Sequence, residues 1–561
     1  MKKIVTCALP YANGVIHLGH LAGSCLPSDV YARFCRLMGE QVHYVSGADE
    51  FGMPITLSAQ LARRTPQEHV DYFYPKNVAL FQQLNFSFDH FVRTSWQGHQ
   101  QPVQQFFLDL LEQGYIEERT TEHLYSEEDD QFLADRFVEG TCPKCHFESA
   151  RGDECPKCAA AYEAGALLNP RSKISGNSLS LKMTKHWYLR LDLFKDKLKD
   201  WIAQKDWKSN VLNFIQPYID DLQPRAITRD SSWGVPVPLP EAEGKVLYVW
   251  FDAPIAYISA SIQWAENCHK PNLWKEFWCD PQTQLVQFLG KDNIPFHAMI
   301  FPAMIMGQKT DYKLVDALPA NEFYHLEGKK FSKSENWTID LDDMLNTFDG
   351  DIVRYALAAS APETSDSEFT WKEFQMRTNS ELVGKWGNFI HRALTFLQRA
   401  LDGQVVALPS QLTDASQEVL SSCTDQVNKI KTSYETYTLR GATKGIVVLA
   451  QIANTYFDHM KPWKLAKEPD QGDLLKEVMA VCLRIIELMT LVLSPIAPVA
   501  AQKSWEQLGL TDALSEQNWD AIVTKSHLTN TLGNTLPVPN PIFTKVEDDQ
   551  VELFRQKLFG K

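Results

Sequence analysis

The chain has 561 residues, 44% of them hydrophobic, and a formal net charge of −15. That length exceeds a single core and predicts three or four domains of about 150 residues each. The acidic balance excludes a protein that coats nucleic acid indiscriminately, while leaving room for a local basic surface. Eleven cysteines without secretory context point to thiols or metal ligands and away from a disulfide framework. Residues 1–5 run straight into a first strand, and apolar runs such as 481–499 contain charges and Pro495. A cytoplasmic protein with no membrane partner is therefore expected.

In chain order, residues 4–9 read as a strand, a Pro-Tyr-Ala-Asn-Gly turn follows, a helix extends to about residue 38, and 42–46 form a second strand. This alternation predicts a parallel α/β nucleotide-binding fold with ligands at the carboxyl ends of its strands. His17-Leu18-Gly19-His20 falls just after the first strand, where helix-entry N–H groups and imidazoles face phosphates well. Helical stretches and a strand near 91–93 complete a first half at 1–115. A connective insertion spans 116–225 and contains Cys142-Pro143-Lys144-Cys145 and Cys155-Pro156-Lys157-Cys158, nine residues apart. Each pair supplies two thiolates from one tight turn, and Cys142, Cys145, Cys155 and Cys158 together make a closed tetrahedral site, so one structural zinc ion is expected. The α/β pattern resumes over 226–320, with strand-like runs at 246–251 and 285–289. Residues 321–380 carry Lys330-Phe331-Ser332-Lys333-Ser334, a loop whose ammonium groups suit the same phosphates. From 381 to 535 the chain is helical, with apolar residues at three- and four-residue intervals in 381–401, 417–434 and 474–493. A Pro-rich stretch and a charged helix occupy 536–561, as a linker or strap would.

The two short motifs, in this order, are those of class I aminoacyl-tRNA synthetases. With Cys7-Ala8-Leu9-Pro10-Tyr11-Ala12-Asn13-Gly14, Tyr248-Val249-Trp250-Phe251-Asp252-Ala253-Pro254, Gly290-Lys291-Asp292-Asn293-Ile294-Pro295-Phe296-His297 and the paired cysteines, the sequence closely resembles the methionyl-tRNA synthetase family over essentially its whole length. The resemblance implies a Rossmann-type parallel-sheet catalytic domain with a zinc-binding insertion and a C-terminal α-helical anticodon-binding bundle. It implies a ligase that activates L-methionine with ATP and magnesium to methionyl-adenylate, then transfers methionine to the 3′ end of tRNA(Met).

The resemblance also places roles on residues. Catalysis falls to His17, His20, Lys330 and Lys333, and ATP contacts to His17, His20, Gly290, Asp292 and Lys333. The methionine pocket falls on Leu9, Tyr11, Trp250, Ala253, Pro254, Tyr257 and His297, with Asp49 holding the substrate ammonium. Aromatic walls suit a polarizable thioether, and a tyrosine hydroxyl or imidazole can offer the sulfur a weak hydrogen bond. Asp252 is expected beneath the pocket as a structural partner. Anticodon contacts fall on Asn388, Arg392 and Trp463, where stacking and polar side chains suit splayed-out bases.

Some features depart from the family pattern. Phe331 stands where many members have Met, and Glu335-Asn336-Trp337 replaces a frequent Arg-Gly continuation, which bears on loop dynamics. No second cysteine pair occurs at 169–176. Rival enzymes fit less well: branched-aliphatic synthetases carry a large editing domain between the two motifs, and cysteine enzymes put zinc in the amino-acid pocket. A small-molecule nucleotidyltransferase leaves the helical region unexplained, and a catalytically dead tRNA-binding paralogue would not keep His17, His20 and Lys333. Too few residues follow the helical region for the oligonucleotide-binding barrel of about a hundred residues that dimerises other members, so a monomer is expected.

Overall fold

The computed structural model describes residues 1–560 except 129, 134–136, 152–154, 156, 159–165, 174, 333 and 334. Strand Lys2–Cys7 is buried along nearly all its length, the pattern of a central parallel strand covered on both faces. It lies in the middle of five parallel strands, ordered Ala320–Asn321, Gln284–Gly290, Lys2–Cys7, Gln41–Ala48 and His90–Arg93. Lys3 stands opposite Gln284 on one side and Lys2 opposite Gln41 on the other. The chain builds outward from Lys2–Cys7 in both directions, so the topological switch point lies between that strand and Gln284–Gly290. A crevice at the carboxyl ends of these two strands is where such a sheet binds its ligand.

The run expected as one strand at 246–251 divides in two. Lys245–Leu247 is a strand, and Val249–Asp252 is a helical turn leading into helix Ala256–Asn267. A short apolar run cannot be assigned by periodicity alone. Here Pro254, which lacks an N–H, fits the start of a helix, and the turn buries Val249 and Phe251 while Trp250 is left partly exposed.

Between the halves of the sheet, Ile116–Ser126 pairs antiparallel with Ser180–Leu189, from Ile116 opposite Leu189 to Tyr125 opposite Ser180. This long ribbon carries at its tip the small sheet of Val138–Thr141, Ala150–Arg151 and Leu168–Ser172, which holds the cysteine pairs.

The helical region is a bundle of Asp414–Glu435, Leu439–Met460 and Gly472–Leu493, joined by a run that starts earlier than the sequence pattern indicates, at Trp371, and continues to Ala400. Gly472–Leu493 is buried on all sides from Val478 to Leu493, as expected of a helix at the centre of a bundle. No helix among the described residues is long and apolar enough to cross a membrane.

Bundle and sheet share one hydrophobic core, in which the helix Leu26–Leu37 packs with Ile352, Leu439 and Trp519. Arg354, 1% exposed, ties this junction. It donates to the carbonyls of Leu84, Pro495 and Ile496 and to the Asp29 carboxylate at 2.7 Å. Beyond the bundle the chain returns: Asn379 exchanges two hydrogen bonds with Val546. Helix Asp548–Phe559 then stacks Phe554 on Trp371, with ring centroids 4.8 Å apart, and sets Phe559 against Trp337.

Candidate active site

The local chemistry of His17-Leu18-Gly19-His20 makes its own helix start. His17 is extended and its Nδ1 accepts from the N–H of Gly19 at 3.1 Å, while the N–H of His17 donates to Nδ1 of His20 at 3.1 Å. The two imidazoles thereby satisfy orphan N–H groups that a helix entry leaves open. Their ring centroids are 3.8 Å apart. Gly19 is required by the crowding: a Cβ there would lie 2.9 Å from the His17 ring and 3.2 Å from that of Phe331.

These histidines wall a cleft of about 290 Å³ at the switch point, together with Leu9, Gly290, Asp292, Lys330 and Phe331. Segments more than three hundred residues apart in the chain thus meet across one opening. Lys330 holds its ammonium 5.0 Å from the Phe323 ring centroid. The loop closes on itself through paired backbone bonds between Ser332 and Trp337, and the Trp337 indole donates to the carbonyl of Leu326 at 2.8 Å. Lys333 lies outside the described residues.

The residues expected around the amino acid come from four elements, and one of them, Leu9, also lines the cleft. Leu9 and Tyr11 follow the first strand, Asp49 follows the second, Trp250, Ala253, Pro254 and Tyr257 come from the helical turn and its continuation, and His297 follows Gln284–Gly290. Tyr11 bridges Asp49 through the backbone and meets Trp250 edge-on at 6.2 Å. The other face of the pocket wall was not foreseen: Phe296 stacks flat on Trp250, with centroids 3.7 Å apart. Its position beside His297 in the quoted motif is the signal that could have found it.

His297 is buried, and desolvation lowers its pKa to about 4, so the ring is neutral. Its Nδ1 donates to the carbonyl of Asn293 at 3.1 Å, which leaves Nε2 to accept from the Tyr257 hydroxyl at 2.8 Å. In this arrangement both hydrogens of the pair are committed within the protein. Neither hydrogen of the pair is then spare, and any contact it makes with a ligand rests on its rings and lone pairs.

Asp49 and Asp252 form a buried acidic pair, 3% and 0% exposed. Burial, then the charge of Asp252, drives the pKa of Asp49 well above the carboxylate range. The Asp252 carboxyl is raised by burial as well. The basic group beside Asp252 is His99, 3.7 Å away, and desolvation holds that imidazole neutral with a pKa of about 3. Two buried carboxyl groups close enough to raise one another's pKa, with no cationic partner among the described residues, are electrostatically suited to a single positive charge. Asp252, left out of the direct contacts by the sequence reading, lies within electrostatic reach of Asp49.

The four cysteines converge as expected. Their Sγ atoms all lie within 4.8 Å of one another, with Cys142 to Cys158 at 3.8 Å and Cys145 to Cys155 at 3.6 Å. Tetrahedral bonds of about 2.3 Å require sulfur separations of about 3.8 Å, so the set fits a zinc-sized ion. The N–H groups of Lys144 and Cys145 each point to the Cys142 sulfur at 3.4 Å, a hydrogen-bonding shell that suits a thiolate.

In the bundle, Asn388 and Arg392 lie four residues apart on one helix face, and Arg392 pairs with Asp458 at 2.8 Å. Arg392 and Trp463 both rest on the buried ring of Phe457, at 5.1 and 5.9 Å. Trp463 is 38% exposed, so it lies at the surface and not within the core. Phe457 and Asp458, which hold these side chains, carry no sequence signal beyond their helical spacing.

Comparison with known proteins matches residues 3–394 to the family model of class I tRNA synthetases (M), and residues 406–561 to the anticodon-binding domain of methionyl tRNA ligase. The methionine–tRNA ligase of Protochlamydia amoebophila is 53% identical over 98% of this chain and 78% of its own length. That of Chlamydia pneumoniae is 45% identical over 97% of this chain and all of its own. A Mycobacterium tuberculosis methionyl-tRNA synthetase bound by methionyl-adenylate shares the fold, with a TM-score of 0.79 at 23% identity over 97% of this chain and 100% of that one.

Proposed function

The chain belongs to the class I methionyl-tRNA synthetase family, and from that premise we propose how its own residues join methionine to tRNA(Met). The reaction begins with attack of the methionine carboxylate on the α-phosphorus of ATP, releasing pyrophosphate and leaving methionyl-adenylate. No side-chain nucleophile is needed, so catalysis consists of positioning and of stabilising charge on phosphate oxygens. His17 and His20 face the triphosphate from the helix entry, Lys330 and Lys333 approach it from the loop, and Gly290 and Asp292 receive the adenosine. Magnesium enters with ATP as part of the substrate.

Methionine enters the adjoining pocket with its ammonium on Asp49, supported by the charge of Asp252. Its thioether lies among Tyr11, Trp250, Tyr257 and His297, with Leu9, Ala253 and Pro254 closing the apolar wall. A ribose hydroxyl at the tRNA 3′ end then attacks the adenylate carbonyl. Asn388, Arg392 and Trp463 read the CAU anticodon at a distance from this chemistry, and Cys142, Cys145, Cys155 and Cys158 hold one structural zinc that stiffens the tip of the ribbon.

The observation that supports this reading is the pairing of one cleft, walled by both short motifs, with a buried acidic pair that has no cationic partner among the described residues. Amino-acid-dependent ATP–pyrophosphate exchange tests it. Methionine should outperform leucine, isoleucine, valine and cysteine, and a better response to any of these would replace the assignment.

A further inference from the structure

The ring of Phe331 lies parallel to that of His17, at 7° and with centroids 4.6 Å apart, while His20 closes on the same imidazole at 3.8 Å. Gly19 has no side chain that could intrude between these groups. His17 thus has three constraints: its Nδ1 is fixed by the Gly19 N–H, and its ring is flanked by His20 and by an aromatic face delivered from the other motif. With Nδ1 accepting, the neutral imidazole carries its hydrogen on Nε2, so the direction of that donor depends on the tilt of the ring. The terminal torsion of a histidine is broad, and a hydrogen bond alone leaves the ring free to rock about it. A flat contact removes that freedom.

From this geometry we infer that Phe331 is a positioning residue that acts through His17, aligning its imidazole for the triphosphate when the loop is seated. The inference rests on the placement of His17 at the triphosphate proposed above. Aliphatic packing cannot substitute for it, because a leucine fills the volume without offering a plane. The base of the loop is anchored independently by Trp337, whose indole is bonded to Leu326, so a change at Phe331 need not unseat the loop.

A double-mutant cycle on the full-length enzyme tests this, reading methionine-dependent pyrophosphate exchange, KM for ATP and for methionine, and melting temperature. Phe331→Leu should lower kcat about 2- to 10-fold, the worth of one aromatic pair, with KM for methionine and the melting temperature unchanged. Phe331→Tyr should restore the rate. In a His17→Asn background the same Phe331→Leu change should have less than about a 2-fold effect, because the group it acts through is gone. An equal loss in both backgrounds would overturn the inference and make Phe331 a direct contact of ATP. A lowered melting temperature with an unchanged rate would also overturn it, as would no loss at all. Wild-type exchange in His17→Asn alone would instead refute the placement of His17, and the inference with it.

Discussion

Replacing Asp49 by Asn should separate stability from function in opposite directions. The carboxyl of Asp49 is 3% exposed and shares its burial with Asp252, which raises its pKa well above the ordinary value. A carboxyl that holds its proton more tightly when folded favours folding at low pH. Its ionisation is penalised as pH rises from the unfolded value of about 3.9 toward the folded one. Each unit of that rise costs the free enzyme about 1.4 kcal/mol at neutral pH. The isosteric amide carries no such penalty, so Asp49→Asn should melt higher than the wild type at pH 7, and the two should converge below about pH 4. Methionine should feel the reverse. Truncating one partner of a buried charge pair typically costs about 2–5 kcal/mol, so kcat/KM for methionine in pyrophosphate exchange should fall by roughly 30- to 5,000-fold. Calorimetry across pH, with exchange kinetics on the same preparations, reads both quantities. An Asp49→Asn variant that is less stable at pH 7 yet activates methionine normally would refute the electrostatic account of the pocket.

Other changes should act on one module at a time. The knuckle has a small core, with Leu124, Val138, Ala150 and Leu167 packed around Cys142 and Cys155, too little to fold unaided. Elemental analysis should therefore find about one zinc per chain in the wild type, and Cys155→Ser should abolish it and add an early thermal transition. A metal-free protein with an unchanged melting profile would refute a structural role. Trp463→Ala removes a stacking platform worth about 1–3 kcal/mol, so charging of tRNA with a CAU anticodon should fall by about 5- to 150-fold while exchange without tRNA is preserved. If the variant still discriminates fully between tRNAs differing only at the anticodon, Trp463 is not a contact.

What the sequence made legible was local. The helix entry at His17 and His20 is built from neighbouring backbone, and each cysteine pair comes from one tight turn, so spacing alone announced both. The residues that escaped are those whose meaning depends on a partner far along the chain. Asp252 gains its electrostatic neighbour in Asp49, about two hundred residues earlier in the chain. Phe296 becomes a wall because Trp250 stacks on it, and Arg354 matters through carbonyls at Leu84, Pro495 and Ile496. The division of 246–251 into strand and helix escaped for a related reason. Both faces of that run are buried or used, so alternation carries no information there.

The strap that follows the bundle turns the molecule into a closed loop of chain. The bundle meets the catalytic half at the Arg354 junction, and the terminal helix, packed by Phe554 on Trp371, reaches it again by setting Phe559 against Trp337. The terminal helix thereby carries the far end of the chain from the bundle to Trp337, whose indole anchors the base of the Lys330 loop, so a displacement of that helix would be felt by the loop first.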